Sequence, residues 1–547
     1  MSKIGINESL TVEFKSDVSR LPDGDIIDAV VAFANTEGGD LYLGVEDNGD
    51  ITGLHKEHMD TTRLAAFVAN KTVPPVPVRT EILDFDKPVL KISVPKQTSV
   101  IASSSGKIQR RRLKADGAPE NVPMYPYEIS SRLSSLNRLD YSAQPVPDAS
   151  YADLDPIERE RLRNIIRTYH GETALLELDD EGLDKSLQFV KQQGGRLIPT
   201  YCGLLMIGRS DSLKNYMPTA EAAVQVLEGT DIRVNESFTM PILAAFEKIT
   251  ERFSAWNSSE EIAMGLFRMT IPDYDPRAFR EALVNAFCHR DYSILGRVRI
   301  QINDEGMTIT NPGGFVEGIS ADNLLEAEPH GRNVALADAM KRIGLAERTG
   351  RGIDRIYEGS LLNGRLLPDY SRSTASRVVL FIPKGPTDKA FIRLVSAEQK
   401  RLGRSLPIYS LLVLNALKNL SRGSVHDIAE YLKIDETRVR VCLETMAGSG
   451  IVEAGGGGRG RCYLLGSEYY RGCDNSTEYV RRKDIDAIRH GELAMQLAKQ
   501  QGAITRKDVM NLLHVTPPQA YRLLQKLAEE GKLALVGHGA GAKYIVK

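Results

Sequence analysis

The C-terminal third of the chain repeats itself. At a constant spacing of 81 residues and without a gap, Ile428 is matched by Val509, Leu432 by Leu513, Ile434 by Val515, Leu443 by Leu524, Met446 by Leu527, Gly450 by Gly531, Val452 by Leu533, Gly460 by Gly541 and Tyr463 by Tyr544. Matched apolar and glycine positions mean that one packing solution is used twice. Each copy reads as helix, turn, helix and then a two-stranded ribbon around glycines, IVEAGGGGRGRCYLL and KLALVGHGAGAKYIV.

That order is the order of a winged helix-turn-helix, expected over residues 389–470 and again over 471–547. The recognition helices start near DETRVRVCLETM and PPQAYRLLQKL, which makes Arg438, Arg440, Gln519, Tyr521 and Arg522 available to a groove or a phosphate. Winged helices also serve as protein contacts, so nucleic acid is one expected partner of two.

A chain of 547 residues, 42% hydrophobic and 26% charged, is ordinary for a soluble protein and too long for one core. No run of about 18 apolar residues spans a membrane, and MSKIGINESL lacks the apolar stretch of a secretory signal. The five cysteines, at 202, 288, 442, 462 and 473, form no C-x-x-C pair and no zinc-spaced cluster, so reduced thiols in a cytoplasmic protein with no membrane partner are expected. The net charge is only -2, so any nucleic-acid affinity must come from local patches.

Upstream of the repeat the pattern is α+β and multidomain. Strand-like LTVEFK, an apolar helix IIDAVVAFAN and a strand LYLGVED make an α/β unit over residues 1–140. The stretch YSAQPVPDASYADLD reads as a linker, and residues 141–240 as a connector containing the strands CGLLMIGR and AAVQVLEG. A third unit, 241–388, has a long helix near 276–290, strands RVRIQIND and GMTITNP, and a closing strand RVVLFIP.

Two groups of residues carry chemistry. In ESLTVEFK, Glu13 and Lys15 share a strand face by the period of two, while Glu8 stands at odd spacing and must precede the strand or be turned by a bulge. Asp47 closes the next strand. Two or three carboxylates with a lysine can hold Mg²⁺ or Mn²⁺ for phosphodiester hydrolysis, and the plain alternative is a solvated strand face with a turn aspartate. Lys107, Arg110, Arg111, Arg112 and Lys114 form a basic run suited to phosphates. The segments ESLTVEFK, AFANTEGGDLYLGVEDNGDITG and KIQRRRLK resemble the Schlafen-type AlbA domain. The resemblance implies that Glu8, Glu13 and Asp47 bind the metal of a nuclease, although many bacterial members are described only as binding DNA.

The second group lies in DPRAFREALVNAFCHRDYS, where Glu281 and Asn285 are four apart on one helix face and His289 follows a turn later. A glutamate can polarise water, and an asparagine oxygen is a neutral ligand for Mg²⁺. Downstream stand TNPGG and RTGRGIDRI, the latter a glycine turn opening a helix whose N–H groups could take phosphates. Their order resembles the GHKL ATPases, in the divergent branch joined to AlbA domains and labelled RecG-related, with a Bergerat-type α/β sandwich. This implies Glu281 as general base, Asn285 as magnesium ligand, Gly313 and Gly314 at the adenine pocket, and Gly350 and Gly352 in the phosphate lid. Asn311 stands where most relatives have an aspartate to accept from the adenine amino group; its carbonyl still accepts but carries no charge. No G-x-x-x-x-G-K-[ST] occurs, so a helicase is excluded.

Taken together, these features suggest a nucleic-acid-processing protein. Its Schlafen-like nuclease would be controlled by a GHKL switch that binds ATP and hydrolyses it slowly or not at all, in bacterial defence or stress. The alternative is an ATP-responsive transcriptional regulator that binds DNA without cutting it. GHKL relatives often pair their subunits, so a homo-oligomer, at least a dimer, is expected.

Overall fold

The computed structural model describes residues 3–136, 138–264, 267–328, 330–347, 350–455, 461–472, 490–491, 493–513, 515–537 and 542–546. The glycine-rich ribbon tips at 456–460 and 538–541, Arg348 and Thr349 of the RTGRGIDRI motif, and Cys473 lie outside the described residues. The chain forms two compact units, one of Met1–Trp256, Phe279–Ile353 and Pro368–Ile382, the other of Asn257–Ala278, Asp354–Leu367 and Pro383–Lys547. Among the described residues no helix is long and apolar enough to cross a membrane.

In the first unit, β1 (Val12–Lys15) pairs in parallel with β2 (Gly39–Leu43), and α1 (Asp23–Ala34) makes the crossover that a parallel pair requires. After α2 (Thr61–Lys71) and β3 (Thr72–Val73) come β4 (Arg79–Asp84) and β5 (Pro88–Val94), which complete a sheet of order β1-β2-β5-β4. The apolar helix α1 buries Ile26, Ile27, Val30, Val31 and Phe33 against Leu41, Leu43, Leu90 and Ile92. Phe14 belongs to the opposite face, with Tyr42, Val45, Ile51 and Val89. Next come β6 (Ala102–Ser103), the hairpin of β7 (Gln109–Leu113) and β8 (Pro119–Pro123), and helix α3 (Pro126–Ser135). The first strand starts at Val12 rather than Leu10, because Ser9 and Val12 bridge and Leu10–Thr11 make the turn between them.

Helices α4 (Pro156–Thr168) and α5 (Asp180–Ser186) and the hairpin β9 (Val190–Gln193) and β10 (Arg196–Pro199) lead to α6 (Tyr201–Ile207) and α7 (Ser210–Tyr216). The stretch CGLLMIGR, expected as a strand, is helix α6. Its residues from Cys202 to Ile207 are all buried, and a run apolar all round has no period by which to tell the two apart. Strands β11 (Ala222–Glu228) and β12 (Asp231–Phe238) precede α8 (Ile242–Trp256), while β13 (Ser259–Met264) and β14 (Phe267–Pro272) belong to the second unit. Helix α9 (Pro276–His289) is followed by β15 (Val298–Ile302), β16 (Gly306–Pro312), α10 (Val334–Arg342), α11 (Gly352–Leu362) and β17 (Arg377–Pro383). The sheet order is β12-β11-β15-β16-β17, so this layer begins at residue 222 with the strand AAVQVLEG. Against Phe253 of α8 the ring of Phe279 on α9 stacks at 3.7 Å, which fixes the rotation of α9.

The second unit packs Ile262 and Ile271 of the β13–β14 hairpin with Ile392 of α12 (Lys389–Leu402). The first copy of the repeat then reads α13 (Ile408–Leu420), α14 (Val425–Leu432), α15 (Glu436–Ser449), β18 (Val452–Gly455) and β19 (Cys462–Leu465). In the second copy, helices Arg506–Leu513 and Pro517–Glu529 precede strands Leu533–Val536 and Lys543–Val546. The spacing of 81 holds in three dimensions: Val452 faces Leu465 as Leu533 faces Val546, and the bridge Gly423–Tyr463 recurs as Ile504–Tyr544. Matched residues Ile428 and Val509, Leu443 and Leu524, and Val452 and Leu533 are all buried.

Candidate nucleotide and nucleic-acid sites

The N-terminal carboxylates surround Lys15. The turn at Ser9–Val12 brings Glu8 back along β1, where its carboxylate accepts from the backbone N–H of Phe14 at 2.9 Å. Asp47 lies exposed in the turn after β2, and its neighbour Glu46 turns inward to accept from Ser16 and Thr52, both at 2.7 Å. Burial works against the charge of Lys15, but Glu13, with Glu8 and Asp47 behind it, more than restores it and holds the ammonium above its ordinary value.

Glu13 itself is only 4% exposed, because it sits on the face that α1 covers. Lys15 reaches its Oε1 at 2.9 Å, Arg111 of β7 donates to Oε2, and the Asn121 amide of β8 lies 3.2 and 3.1 Å from the two oxygens. The Arg111 guanidinium stands 4.5 Å over the Phe33 ring and donates to the carbonyls of Ser9 and Val12. A divalent cation would have to displace a guanidinium and an ammonium from Glu13. Among the described residues no three His, Cys, Asp or Glu side chains are grouped to hold a metal ion. In this arrangement the set therefore does not fit Mg²⁺ or Mn²⁺.

The basic run is not one surface. Arg111 points into the protein and is unavailable to a phosphate, which corrects the expectation for that residue. Its flanking residues face out, where Arg110 pairs with Glu128 and Arg112 with Glu120, while Lys107 pairs with Asp28 and Lys114 is exposed. A signal for this was present, since three successive arginines in a strand cannot share a face. Register then sets Arg111 opposite Asn121.

On α9, Glu281 is buried and Asn285 half-buried. The carboxylate of Glu281 packs against the first residue of α11: a Cβ on Gly352 would fall 2.1 Å from its Oε1. A negative charge there complements the N-terminus of that helix. Gly350, with φ of 77°, makes the left-handed turn just before it. Burial, then the charge of Glu281, pushes the Cys288 thiol up to about 12. His289 lies under the Gly331 turn, and desolvation with Arg332, His330 and Lys341 nearby pushes it down to about 4. The side chain of Asn333 closes the end of α9 by donating to the carbonyls of Cys288 and Arg290.

Asn311, at the end of β16, is 4% exposed, and its Oδ1 is buried with no hydrogen-bond partner among the described residues. Such an acceptor costs about 1–3 kcal/mol of desolvation unless a ligand donates to it. An adenine amino group is a donor of that kind, so Asn311 fits ATP. Gly313 and Gly314 are required by the chain's own packing: a Cβ on Gly313 would stand 2.8 Å from that of Asp291, and one on Gly314 would stand 2.5 Å from the carbonyl oxygen of Ala375. Asp291 in turn accepts from Arg332, Ser131 and Ser293. Burial raises its pKa, but these partners hold it below the ordinary carboxylate range.

Sequence reasoning missed the role of α3. Ser131 on this helix bonds Asp291, Arg132 bonds both Glu317 and the Gln97 carbonyl, and Glu128 holds Arg110 of β7. Just beyond the helix, Asp140 accepts from the Ala335 N–H at the start of α10. One short helix thus touches both the basic hairpin and the turn beside Gly313. In the C-terminal repeat, Arg438 lies over the Tyr409 ring at 4.3 Å, Gln519 is engaged by Thr516 at its helix N-terminus, and Arg440, Tyr521 and Arg522 are exposed.

Comparison with known proteins finds family matches over the segments that carry the N-terminal carboxylates and Asn311, and none over α9. Residues 8–116 match the family described as "Schlafen, AlbA_2", and residues 296–381 the family described as "Putative ATP-dependent DNA helicase recG C-terminal". The chain joins a Schlafen-like AlbA domain to a GHKL-type ATPase-like domain. Residues 131–223, between the two, match a family described as a domain of unknown function. A crystal structure of the DIP2311 protein from Corynebacterium diphtheriae is similar over 98% of this chain and 95% of that one, with a TM-score of 0.50 and 20% identity, a likeness of fold alone. The domain composition is that of a nucleic-acid-associated, ATP-binding protein.

Proposed function

We propose that this chain is an ATP-responsive nucleic-acid-binding protein, in which the nucleotide state of the GHKL-like domain is passed to the AlbA-like domain through α3. The observation that carries the reading is the buried Oδ1 of Asn311, which has no partner among the described residues. In it, Asn311 accepts from adenine, Asn285 offers its oxygen to Mg²⁺ on the triphosphate, and the Gly350–Gly352 turn meets the phosphates. Bound ATP would supply a triphosphate charge that the N-terminus of α11 can accept. The protein's own residues then do the rest: Ser131 and Asp291 link the adenine side to α3, and Glu128 links α3 to Arg110. We read the two C-terminal copies as winged helices, because each ends in two helices and an antiparallel ribbon in the same register. Arg440 and Arg522 are among their outward cations.

The test is calorimetry with ATP and Mg²⁺, followed by phosphate release. Glu281→Ala should retain ATP and lose hydrolysis, whereas Asn285→Ala should lose Mg²⁺-dependent affinity. Equal ATP affinity in wild type and Asn285→Ala would remove that residue from the site. A metal-dependent nuclease at Glu8, Glu13 and Asp47 is a second reading, favoured by the way all three charges act on Lys15. It requires Arg111 to leave Glu13. Cleavage of labelled single strands with Mn²⁺, stopped by EDTA and absent in Glu13→Gln, would establish it over the binding-only reading.

A further inference from the structure

We propose that Tyr125 and Tyr127 form a stacking platform for the bases of a single-stranded nucleic acid, with Arg112 and Lys114 on its phosphate side. Resting on the nucleic-acid reading above, this names the strand form and the residues that meet it. Two large rings form an offset stack at the surface: Tyr125 is 58% and Tyr127 50% exposed, their centroids are 6.2 Å apart and their planes differ by 10°. Leu113 at the end of β7 is also exposed. Rings left in solvent with parallel faces gain nothing from the core, and a base offers each of them a matching π-face.

The platform is rigid. Pro123 and Pro126 fix the backbone on either side of Tyr125, and Pro126 occupies the first turn of α3, where its ring geometry suits a helix start. Glu128 ties the pieces together by accepting from the Tyr125 N–H at 2.8 Å and from Arg110 Nε at 2.8 Å; burial raises its pKa, but Arg110, the Tyr125 N–H and a hydrogen bond from Tyr127 together hold its carboxyl below the ordinary range. Little side-chain freedom is then left to lose on binding.

Charge plays a smaller part. Arg112 already pairs with Glu120, so it must exchange that partner for a phosphate; Arg110 stays with Glu128, and Lys114, at the tip of the hairpin, is exposed. Two phosphate contacts on a single strand predict a shallow salt dependence, with a log–log slope of about -1.4. Duplex DNA stacks its bases on one another and offers the rings no faces.

Fluorescence anisotropy with labelled oligo-dT, oligo-rU and a duplex of equal length tests this on the full chain. Wild type should bind the single strands over the duplex. Each Tyr→Ala change should weaken single-strand binding about tenfold and the pair about a hundredfold, the order expected for loss of one and two stacked bases. Tyr125→Phe/Tyr127→Phe should stay within about threefold, since the π-faces remain. Higher affinity for oligo-rU identifies RNA as the source of the strand, higher affinity for oligo-dT identifies DNA, and both support the platform. If the double alanine variant keeps its thermal unfolding curve and binds like wild type, the platform is wrong and the nucleic-acid reading survives. If wild type binds none of the probes, that reading falls with it. If instead the double variant loses self-association on a sizing column and not binding, the rings are a contact between copies and the proposal is overturned.

Discussion

The AlbA-like and GHKL-like domains each bury a polar cluster, and the two clusters are finished differently. Around Glu13 both carboxylate oxygens are met by Arg111, Lys15 and Asn121. At the end of β16, Asn311 keeps an acceptor with no donor among the described residues, and Asn333, which closes α9, keeps another. A carboxylate whose two oxygens are both met offers no vacancy to a cation, although the Arg111 Nε beside it has no partner among the described residues, whereas an unmet acceptor costs stability until something binds it. On the reading proposed above, the contrast separates a cluster that holds the fold from one that binds a ligand, although both contain the residue types expected of an active site.

The strongest way to break this contrast is Arg111→Met. Removing one partner of a buried ion pair leaves Glu13 uncompensated, which should cost about 3–5 kcal/mol, and Glu13→Gln in the same chain should restore a good part of it. Urea unfolding followed on the AlbA-like domain reads both. A loss below about 1 kcal/mol would mean that the cluster is loose enough to admit a cation.

Asn311→Leu should act in the opposite sense. Replacing the orphaned amide by an apolar group of similar shape should raise the stability of the nucleotide-free protein by about 1–3 kcal/mol, while ATP affinity falls tenfold or more. Melting curves with and without ATP measure the two signs together. A variant that is both less stable and equally able to bind ATP would show that Asn311 is ordinary packing.

A third effect is in pH. His289 has its pKa lowered in the folded state from 6.5 to about 4, so the unfolded chain takes up a proton first as pH falls. Its contribution is complete above pH 6.5 and is lost progressively down to about 4. Asp291, held below the ordinary 3.8, contributes above that value and loses its contribution only in stronger acid. His289→Gln should flatten the first window and leave the second, as read by unfolding at a series of pH values.

Much of the architecture was legible in the residues. The repeat at 81 residues specified its own register because apolar side chains at fixed spacing can be buried in only one way, and the bridge at Tyr463 and Tyr544 follows it. Glu281 and Asn285 fall on one face of α9 by helical period alone. What no local pattern contains is the partner of a charge. Arg111 looked like a phosphate contact and became the counterion of Glu13, some hundred residues away, because β7 packs across the end of α1. CGLLMIGR became a helix for the same kind of reason, its identity resting on which surfaces cover it. Sequence by itself determined which residues must be buried and with what period; tertiary structure decided which charges meet and which acceptor is left waiting, since both depend on contacts between segments far apart in the chain.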